Sequence, residues 1–312
     1  MNFWITGGAG SVGRDLTASL LGKGHRVRIL DKQAQSVVPL TDSTNLEWVQ
    51  GLLEDAHLAH EALRGVDVVI HLAWSFSDDP VELLESDLKG HVVLLEACAA
   101  AKVSRLFYAS TAVVYGKPVR CPVTEEDPPL VEESRKPFYA VAKLSAEKLA
   151  LAYGKTKGLP VTVFRFWWSF GERIGGRHLR HMITLAQAGQ PIMVPEGAGG
   201  SFLDHDDLTH ALLLAVQSKE SMGQVFNLAT IYLEWKEIAR MIIGIADSSS
   251  RLDVIPAPDW KGAQFLADPW ELSTAKAERL FGFRSVFPPA VARQRLENAI
   301  KLCRQEMNEG RT

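Results

Sequence analysis

A strand, a glycine-rich turn and a helix follow one another at the start of this chain, and no other feature narrows its possible folds as much. Residues 2–6 form an apolar, strand-like run that leads directly into Gly7-Gly8-Ala9-Gly10-Ser11-Val12-Gly13. Glycines permit a tight turn and let backbone N–H groups approach a phosphate, and the helix N-terminus adds partial positive charge. The Gly-x-x-Gly-x-x-Gly spacing is one residue longer than G-x-G-x-x-G, so alone it also fits a plain strand-to-helix turn.

Strand-like and helix-like runs alternate through the first half of the chain. Strands are predicted at residues 3–6, 26–30, 46–49, 66–71, 105–110 and 161–166, and helices at 12–23, 56–64, 81–101 and 138–157. This alternation predicts an α/β fold, a Rossmann-type doubly wound parallel sheet with helices on both faces. The pattern becomes irregular after Gly171. We therefore expect a Rossmann domain in residues 1–170 and a smaller, irregular substrate-binding portion in 171–312, with elements near 206–228 returning to the first sheet.

Composition and charge exclude several classes of function. The net charge is −3 and the basic residues are scattered, so the basic patch of a nucleic-acid-binding protein is missing. Cys98, Cys121 and Cys303 are too widely spaced for a disulfide framework or a zinc site, and we expect no metal. No apolar run approaches the roughly 18 residues of a membrane span. Because the first strand begins at residue 2, we expect no signal peptide. We expect a cytoplasmic protein that binds neither nucleic acid nor membrane.

Asp31 ends the second predicted strand and follows the glycine turn in a βαβ context. A carboxylate at this place accepts hydrogen bonds from adenosine ribose hydroxyls and repels a 2′-phosphate, so it favours NAD over NADP. Lys32 beside it weakens this preference, because a cation tolerates the phosphate. The alternative is that Asp31 only starts a turn, and the preceding glycines favour the binding role.

Tyr139 and Lys143 lie four residues apart and therefore share one face of a predicted helix. A tyrosine hydroxyl is a poor acid or base at neutral pH, and a nearby ammonium lowers its pKa by stabilising the phenolate. Such a pair can pass a proton to or from a substrate hydroxyl during hydride transfer. Thr111 follows the strand 105–110, and ligands of open α/β sheets bind at strand C-termini. Thr111 is thus placed to hydrogen-bond the reacting oxygen.

Together these residues resemble the extended short-chain dehydrogenase/reductases of the NAD-dependent epimerase/dehydratase family. The resemblance covers nearly the whole chain and includes, besides the glycine turn and Asp31, the stretches Asp67-Val68-Val69-Ile70-His71-Leu72-Ala73, Ser110-Thr111…Tyr115-Gly116, Tyr139…Lys143, Arg165-Phe166 before Gly171, Phe202…Asp206-Asp207 and Ser273-Thr274-Ala275-Lys276…Leu280-Phe281-Gly282-Phe283.

The resemblance implies NAD as cofactor, held by the first half of the chain, and a homodimer formed by helices near 81–101 and 138–157. Tyr139 would be the acid/base, Lys143 its electrostatic partner and ribose ligand, and Thr111 would position the substrate oxygen. The cofactor-binding residues implied are Gly7, Gly10, Ser11, Val12, Gly13, Asp31, Lys32, Leu52, Leu53, Leu72, Ala73, Trp74, Ala109, Tyr139, Lys143, Phe166 and Trp167.

Departures from the family pattern narrow the expected activity. Ala112 and Val113 stand where dehydratases of the family have Asp-Glu, so dehydration is not expected. Trp168 replaces an asparagine, and Gly199-Gly200-Ser201 replaces an arginine, and both lost residues contact the nucleotide diphosphate in nucleotide-sugar epimerases. Leu52 stands where the family usually has an Asp that contacts the adenine of NAD. Asp87 stands where the family frequently has an Asn, on the helix that faces the site.

Aromatic residues follow the ends of two predicted strands and indicate a compact, partly apolar substrate pocket, although core packing also explains them. The substrate residues expected are Trp74, Phe76, Thr111, Trp168, Ser169 and Arg177. We expect hydride transfer at a secondary alcohol or carbonyl of a small, non-nucleotide substrate, a free sugar derivative or an aryl alcohol. NAD-dependent sugar or nucleotide-sugar epimerisation and non-catalytic NAD binding remain the alternatives.

Overall fold

The computed structural model describes residues 1–35 and 43–310. The strands in these ranges are β1 (Asn2–Thr6), β2 (Arg26–Asp31), β3 (Leu46–Gln50), β4 (Val68–His71), β5 (Arg105–Ala109), β6 (Val161–Arg165), β7 (Trp168–Phe170), β8 (Ile192–Pro195), β9 (Gly199–Asp204), β10 (Gln224–Asn227), β11 (Ile231–Glu234), β12 (Leu252–Ile255) and β13 (Pro269–Trp270). The α-helices are α1 (Ser11–Gly22), α2 (Ala56–Ala62), α3 (Pro80–Glu82), α4 (Lys89–Ala101), α5 (Pro137–Lys157), α6 (Arg177–Gln187), α7 (His205–Gln217), α8 (Trp235–Ala246), α9 (Ala275–Phe281) and α10 (Pro289–Asn308).

Among the described residues, seven strands form a parallel sheet in the order β10-β6-β5-β4-β1-β2-β3. The chain runs outward from β1 in one direction through β2 and β3 and in the other through β4, β5 and β6. The strand order therefore reverses between β1 and β4, and crevices at such reversals bind ligands beyond the strand C-termini. The predicted doubly wound Rossmann sheet is confirmed.

Side-chain alternation along the sheet supplies two cores, one for each layer of helices. Phe3 and Ile5 of β1 pack with Leu16 of α1 and Leu208 of α7, whereas Trp4 faces the opposite side. There it packs in a cluster that includes Leu94 of α4 and parts of α2 and α5. The sheet is thus buried on both faces, as a continuous apolar run such as Val68–His71 requires.

The later part of the chain builds smaller sheets beside the first one. Strands β11, β9, β13 and β7 form one group, and β12 pairs with β8. Helices α6, α8 and α10 pack on a separate apolar cluster that contains Trp235 and Ile300. β10, which lies in the segment expected to return, pairs with β6. The division at residue 170 stays a prediction.

A π-helical turn at Leu83–Leu88 joins α3 to α4 and faces the sheet's C-terminal edge. A membrane-crossing helix, which must be both long and apolar, is not found in residues 1–35 or 43–310.

Candidate active site

The glycine turn is held so closely against the sheet that side chains would disrupt it. Gly7 has φ +75°, and a Cβ added there would lie 2.7 Å from the backbone N of Ala73. A Cβ on Gly13 would lie 2.5 Å from the carbonyl oxygen of Gly7. Gly10 caps α1 without a side chain, and no acidic residue lies in the first turn. The first N–H groups of α1 therefore lack a side-chain cap and can offer their partial positive charge to an anion.

Asp31 is tied to the glycine turn as well as to its own loop. Its carboxylate accepts hydrogen bonds from the backbone N of Ala9 (2.9 Å) and of Gln33 (3.0 Å). Each carboxylate oxygen keeps further acceptor capacity, which ribose hydroxyls can use. Lys32 is exposed beside it.

Other predicted cofactor residues lie at the C-terminal ends of neighbouring strands. Leu52 follows β3 and is exposed, with no polar group to offer, whereas Leu53 packs near Gly90. Leu72 and Ala73 follow β4 directly, and Ala73 N donates to Thr6 Oγ1 at 3.4 Å. Phe166 follows β6, and its carbonyl oxygen accepts from Ala112 N at 2.9 Å.

Lys143 is buried, with 4% of its surface exposed. Its ammonium donates to the carbonyl oxygen of Ala109 (2.9 Å) and lies 4.1 Å from the ring centroid of Trp74 and 4.8 Å from that of Tyr108. Burial lowers the pKa of Lys143 to about 7, and the charges of Asp87 and Glu147 oppose that change. Both rings also favour the charged form. Lys143 is therefore a cation close to its titration point at neutral pH.

Tyr139 lies one turn before Lys143 on α5 and is also buried. Phe76 stacks on its ring with centroids 6.0 Å apart, and Phe76 itself has φ +55° and 71% exposure. Burial raises the pKa of the Tyr139 phenol, Asp87 raises it further, and Arg135 opposes the rise. The expected lowering of the Tyr139 pKa by Lys143 is thus not found, because burial dominates and the opposing cation is Arg135.

Thr111 ends the β5 segment and caps a short 3₁₀ helix, Ala112–Tyr115. Its Oγ1 accepts from the backbone N of Val113 at 3.2 Å, and Val113 packs against the apolar cluster that contains Tyr139. The structure thus brings Thr111, Tyr139, Lys143 and Trp74 to the same sheet edge.

A buried polar network behind these residues holds α5 against the sheet. Glu147 accepts from both Nε (2.9 Å) and Nη2 (2.6 Å) of Arg165 and from the hydroxyl of Ser110. Glu147 was not predicted. The available signal was spacing, because residues 139, 143 and 147 are four apart and share one helix face.

Two charged residues close to Tyr139 were also not predicted as site residues. Asp87, on the π-helical turn, accepts from the backbone N and the hydroxyl of Ser75, and burial raises its pKa. Arg135 lies just before α5. The sequence singled out Asp87 only as a departure from the family pattern, and it gave no signal for Arg135.

Tryptophans fill the region beyond β6. Trp167 stacks on Trp270 with centroids 6.0 Å apart, and a Cβ on Gly200 would lie 1.7 Å from the Trp167 ring. Trp168 stacks on Phe202 and donates from Nε1 to the carbonyl oxygen of Gly175. The indoles thus occupy space next to the backbone of β9 and the start of α6.

Two predicted substrate residues, Ser169 and Arg177, differ in their surroundings. Ser169 Oγ is 3.2 Å from His205 Nε2, and His205 Nδ1 is 2.6 Å from Asp15 Oδ2, so the Ser169 hydroxyl is engaged in a polar contact with α1 and α7. Strand alternation also turns Ser169 away from the face that carries Trp168. Arg177 is exposed in the first turn of α6. The described residues contain no group of three or more His, Cys, Asp or Glu side chains suited to a metal ion.

Known proteins are similar to this chain in sequence and in fold. A UDP-N-acetyl-alpha-D-glucosaminuronate decarboxylase from Bacillus cytotoxicus is 30% identical over 269 residues, which cover 81% of this chain and 82% of that protein. A UDP-glucose 4-epimerase from Lactobacillus helveticus is 28% identical over 78% of this chain and 82% of its own. The fold matches the solved UDP-glucose 4-epimerase of Thermotoga maritima with a TM-score of 0.77 at 21% identity, over 99% of both chains. Other curated relatives are longer, and the chain spans 62% and 37% of two of them.

The residues at the glycine turn fit NAD. Backbone atoms lie where side chains at Gly7 and Gly13 would otherwise be, so only glycine fits at these positions. The uncapped start of α1 suits a pyrophosphate, and the Asp31 carboxylate suits a ribose. NAD is also the cofactor of the family that matches residues 3–229, which confirms the cofactor and the resemblance predicted from the sequence. The chain belongs to the NAD dependent epimerase/dehydratase family.

Proposed function

We propose that this protein is an NAD-dependent oxidoreductase that transfers hydride at a secondary alcohol or carbonyl of a small substrate without a nucleotide, such as a free sugar derivative. The observation that carries the proposal is the packing of Trp167 and Trp168. Trp167 lies so close to Gly200 that no side chain fits there, and Trp168 is fixed against Phe202 and Gly175. These contacts support a site in which the indoles occupy the space that a diphosphate would need.

Chemically, Tyr139 would take the hydroxyl proton of the alcohol while Thr111 holds the reacting oxygen. With NAD as the hydride acceptor, the carbinol carbon would lose a hydride as the hydroxyl loses its proton to Tyr139, and the alcohol would become a carbonyl. Lys143 would bind the nicotinamide ribose and stabilise the phenolate, and release of its contact with Ala109 would free the ammonium for both tasks. Because the pKa of Tyr139 is raised, the phenolate can form near neutral pH only if the Lys143 ammonium stabilises it.

Dehydration is not part of the proposal. Ala112 is fully buried and Val113 packs beside Tyr139, so neither position offers a carboxyl group for water elimination. Epimerisation is the second candidate, favoured by the UDP-glucose 4-epimerase that is similar over most of both chains. Tyr139, Lys143 and Thr111 would serve that reaction equally well.

The experiment is to follow NADH absorbance while the purified protein is incubated with NAD and free sugars, sugar acids or aryl alcohols. Steady NADH accumulation with one class supports net oxidation. Turnover of UDP-sugars without NADH accumulation would favour epimerisation and contradict the proposal. In Tyr139→Phe the rate should fall by about 10²- to 10⁴-fold with NAD binding retained. An unchanged rate in this variant would contradict the role of Tyr139.

A homodimer is part of the same proposal. A second subunit would cover exposed apolar side chains, namely Val81 on α3, Leu84 on the π-helical turn, and Phe138 and Val141 on α5. Light scattering after size exclusion should give twice the chain mass, and a monomer at micromolar concentration would refute the dimer. A cytoplasmic location remains a prediction.

A further inference from the structure

Arg135 is an uncompensated cation beside the proposed acid/base. Its guanidinium carbon lies 4.1 Å from the ring centroid of Phe265, and among the described residues it makes no hydrogen bond or ion pair. The surrounding protein lowers the pKa of Arg135, and Tyr139 is the titratable neighbour that opposes this. The side chain is nevertheless exposed to solvent. The guanidinium therefore keeps N–H donors that a ligand from solvent can reach.

His178 contacts the same aromatic ring from a different segment. The rings of His178 and Phe265 have centroids 4.7 Å apart and meet at 62°. Burial lowers the pKa of His178, and its neighbours Arg135, His181 and Arg177 lower it further. Arg135 and Arg177 are permanently charged guanidinium groups. The region around His178 therefore carries positive charge from two segments of the chain.

The start of α6 adds to this potential. Arg177 and His178 occupy its first turn, Gly176 caps it without a side chain, and no acidic residue lies there. Cations at a helix N-terminus are unfavourable, because the dipole already places partial positive charge at that end. An anion bound between α6 and Arg135 would relieve this repulsion.

We propose that Arg135 and His178, which meet at Phe265 beside Tyr139, form a subsite for a carboxylate of the substrate. This inference rests on the proposed function and names the substrate class, a sugar acid or related hydroxy acid whose secondary hydroxyl reaches Tyr139. Arg135 provides the planar fork that matches a carboxylate in bidentate geometry. His178 and the first turn of α6 supply further donors. The substrate carboxylate is not changed in the reaction and only fixes the orientation of the carbinol carbon.

The test compares substrates that differ only in the carboxylate. The pairs are galacturonate with galactose and UDP-glucuronate with UDP-glucose, and galactose 1-phosphate tests a different anion. We expect kcat/KM to be higher for the acid within the pair that reacts. In Arg135→Leu, the ratio of kcat/KM for the acid to kcat/KM for its neutral partner should fall by about 10- to 100-fold, as loss of a charge-assisted hydrogen bond predicts. A loss that acts through the pKa of Tyr139 is common to both substrates and cancels in this ratio. Arg135→Lys should recover part of the loss.

Arg173→Leu is the matched control. It removes an arginine near the start of α6 whose guanidinium is already paired with Glu306, so the preference for acids should not change. Equal losses on acid and neutral substrate in Arg135→Leu would show that Arg135 acts only through Tyr139 or through folding, and would overturn the subsite. A preference of the wild type for the phosphate over the carboxylate would overturn it as well.

The two proposals fail in distinguishable ways. If only the UDP-linked pair reacts and the acid is preferred, the carboxylate subsite stands and the nucleotide-free function falls. If galactose and galacturonate react equally well, the function stands and the subsite falls. Where no compound turns over, calorimetry measures the affinity of the same compounds in the presence of NADH. The acid of each pair should bind more tightly than its neutral partner, and failure to do so overturns the subsite.

Discussion

Two sides of the same crevice are built in different ways. The cofactor side, formed by residues 6–13 and Asp31, uses backbone N–H groups and glycines within one βα unit. The proposed substrate side, with Phe76, Arg135, Trp168, His178 and Phe265, would use long side chains from segments that are far apart in sequence. Backbone recognition constrains the residue type at each position. Side-chain recognition leaves the positions free to vary, and so substrate choice can change while the cofactor stays the same.

Lys143 belongs to both sides, and its replacement should give the largest effect. Lys143→Met should lower kcat by about 100-fold or more, because the phenolate and the ribose lose their cation. The same variant should be more stable than the wild type at pH 7. Burial lowers the pKa of Lys143 to about 7 in the folded protein, whereas the unfolded chain keeps the higher, ordinary lysine pKa. Between these two pKa values the unfolded chain binds more protons than the folded protein, which destabilises the fold.

The free energy of unfolding of the wild type should accordingly rise with pH from about 7 upward. The difference in free energy of unfolding between Lys143→Met and the wild type should therefore become smaller. Urea unfolding of both proteins at pH 7 and pH 9.5, without cofactor, measures this. Each pKa unit corresponds to about 1.4 kcal/mol. Parallel stabilities at the two pH values would contradict the lowered pKa.

Addition of one methyl group at the glycine turn should disrupt the cofactor side. Gly7→Ala places a Cβ 2.7 Å from Ala73 N in a residue with φ +75°, so we expect a loss of about 1–3 kcal/mol in stability and at least tenfold weaker NADH binding. Gly22→Ala is the control, because nothing lies within 4 Å of its Cβ and alanine favours the helix. Thermal unfolding and NADH fluorescence titration should separate the two variants. Equal behaviour would mean that the turn tolerates a side chain.

The same contrast explains what could be predicted from the sequence. The sheet follows from β-type runs that alternate with amphipathic runs, and the glycine turn and the pair Tyr139–Lys143 are local patterns with fixed spacing. Arg135 could not be found, because its partners Phe265 and His178 are distant in sequence and meet only through tertiary packing. The raised pKa of Tyr139 could not be predicted from the sequence either, since desolvation depends on the neighbours that bury the phenol.

Asp31 gives a smaller test of the cofactor side. Asp31→Asn keeps an acceptor for Ala9 N but removes the negative charge, so KM for NAD should rise by about tenfold, while KM for the sugar substrate should not change. NADP should improve relative to NAD, because the 2′-phosphate is no longer repelled. Steady-state kinetics with both cofactors measures this ratio. Lys32→Ala, at the exposed neighbour, is the control and should leave KM for NAD within about twofold.

Asp87 gives the smallest expected effect, and it sharpens the comparison because Asp87→Asn keeps an acceptor for Ser75 N while it removes the negative charge beside Tyr139. Its charge raises the pKa of Tyr139 and also that of Lys143, so Asp87→Asn should lower both. A base that must be deprotonated and a cation that must stay protonated then both titrate at lower pH. The acid and alkaline limbs of the pH profile of kcat should therefore move down together, with the maximum changed only a few-fold. Glu82→Gln removes a carboxylate from the same segment at an exposed position, where solvent screens its charge, and should leave both limbs in place. A shift of one limb alone would show that Asp87 acts on only one of the two groups, and the pH profile would then assign which.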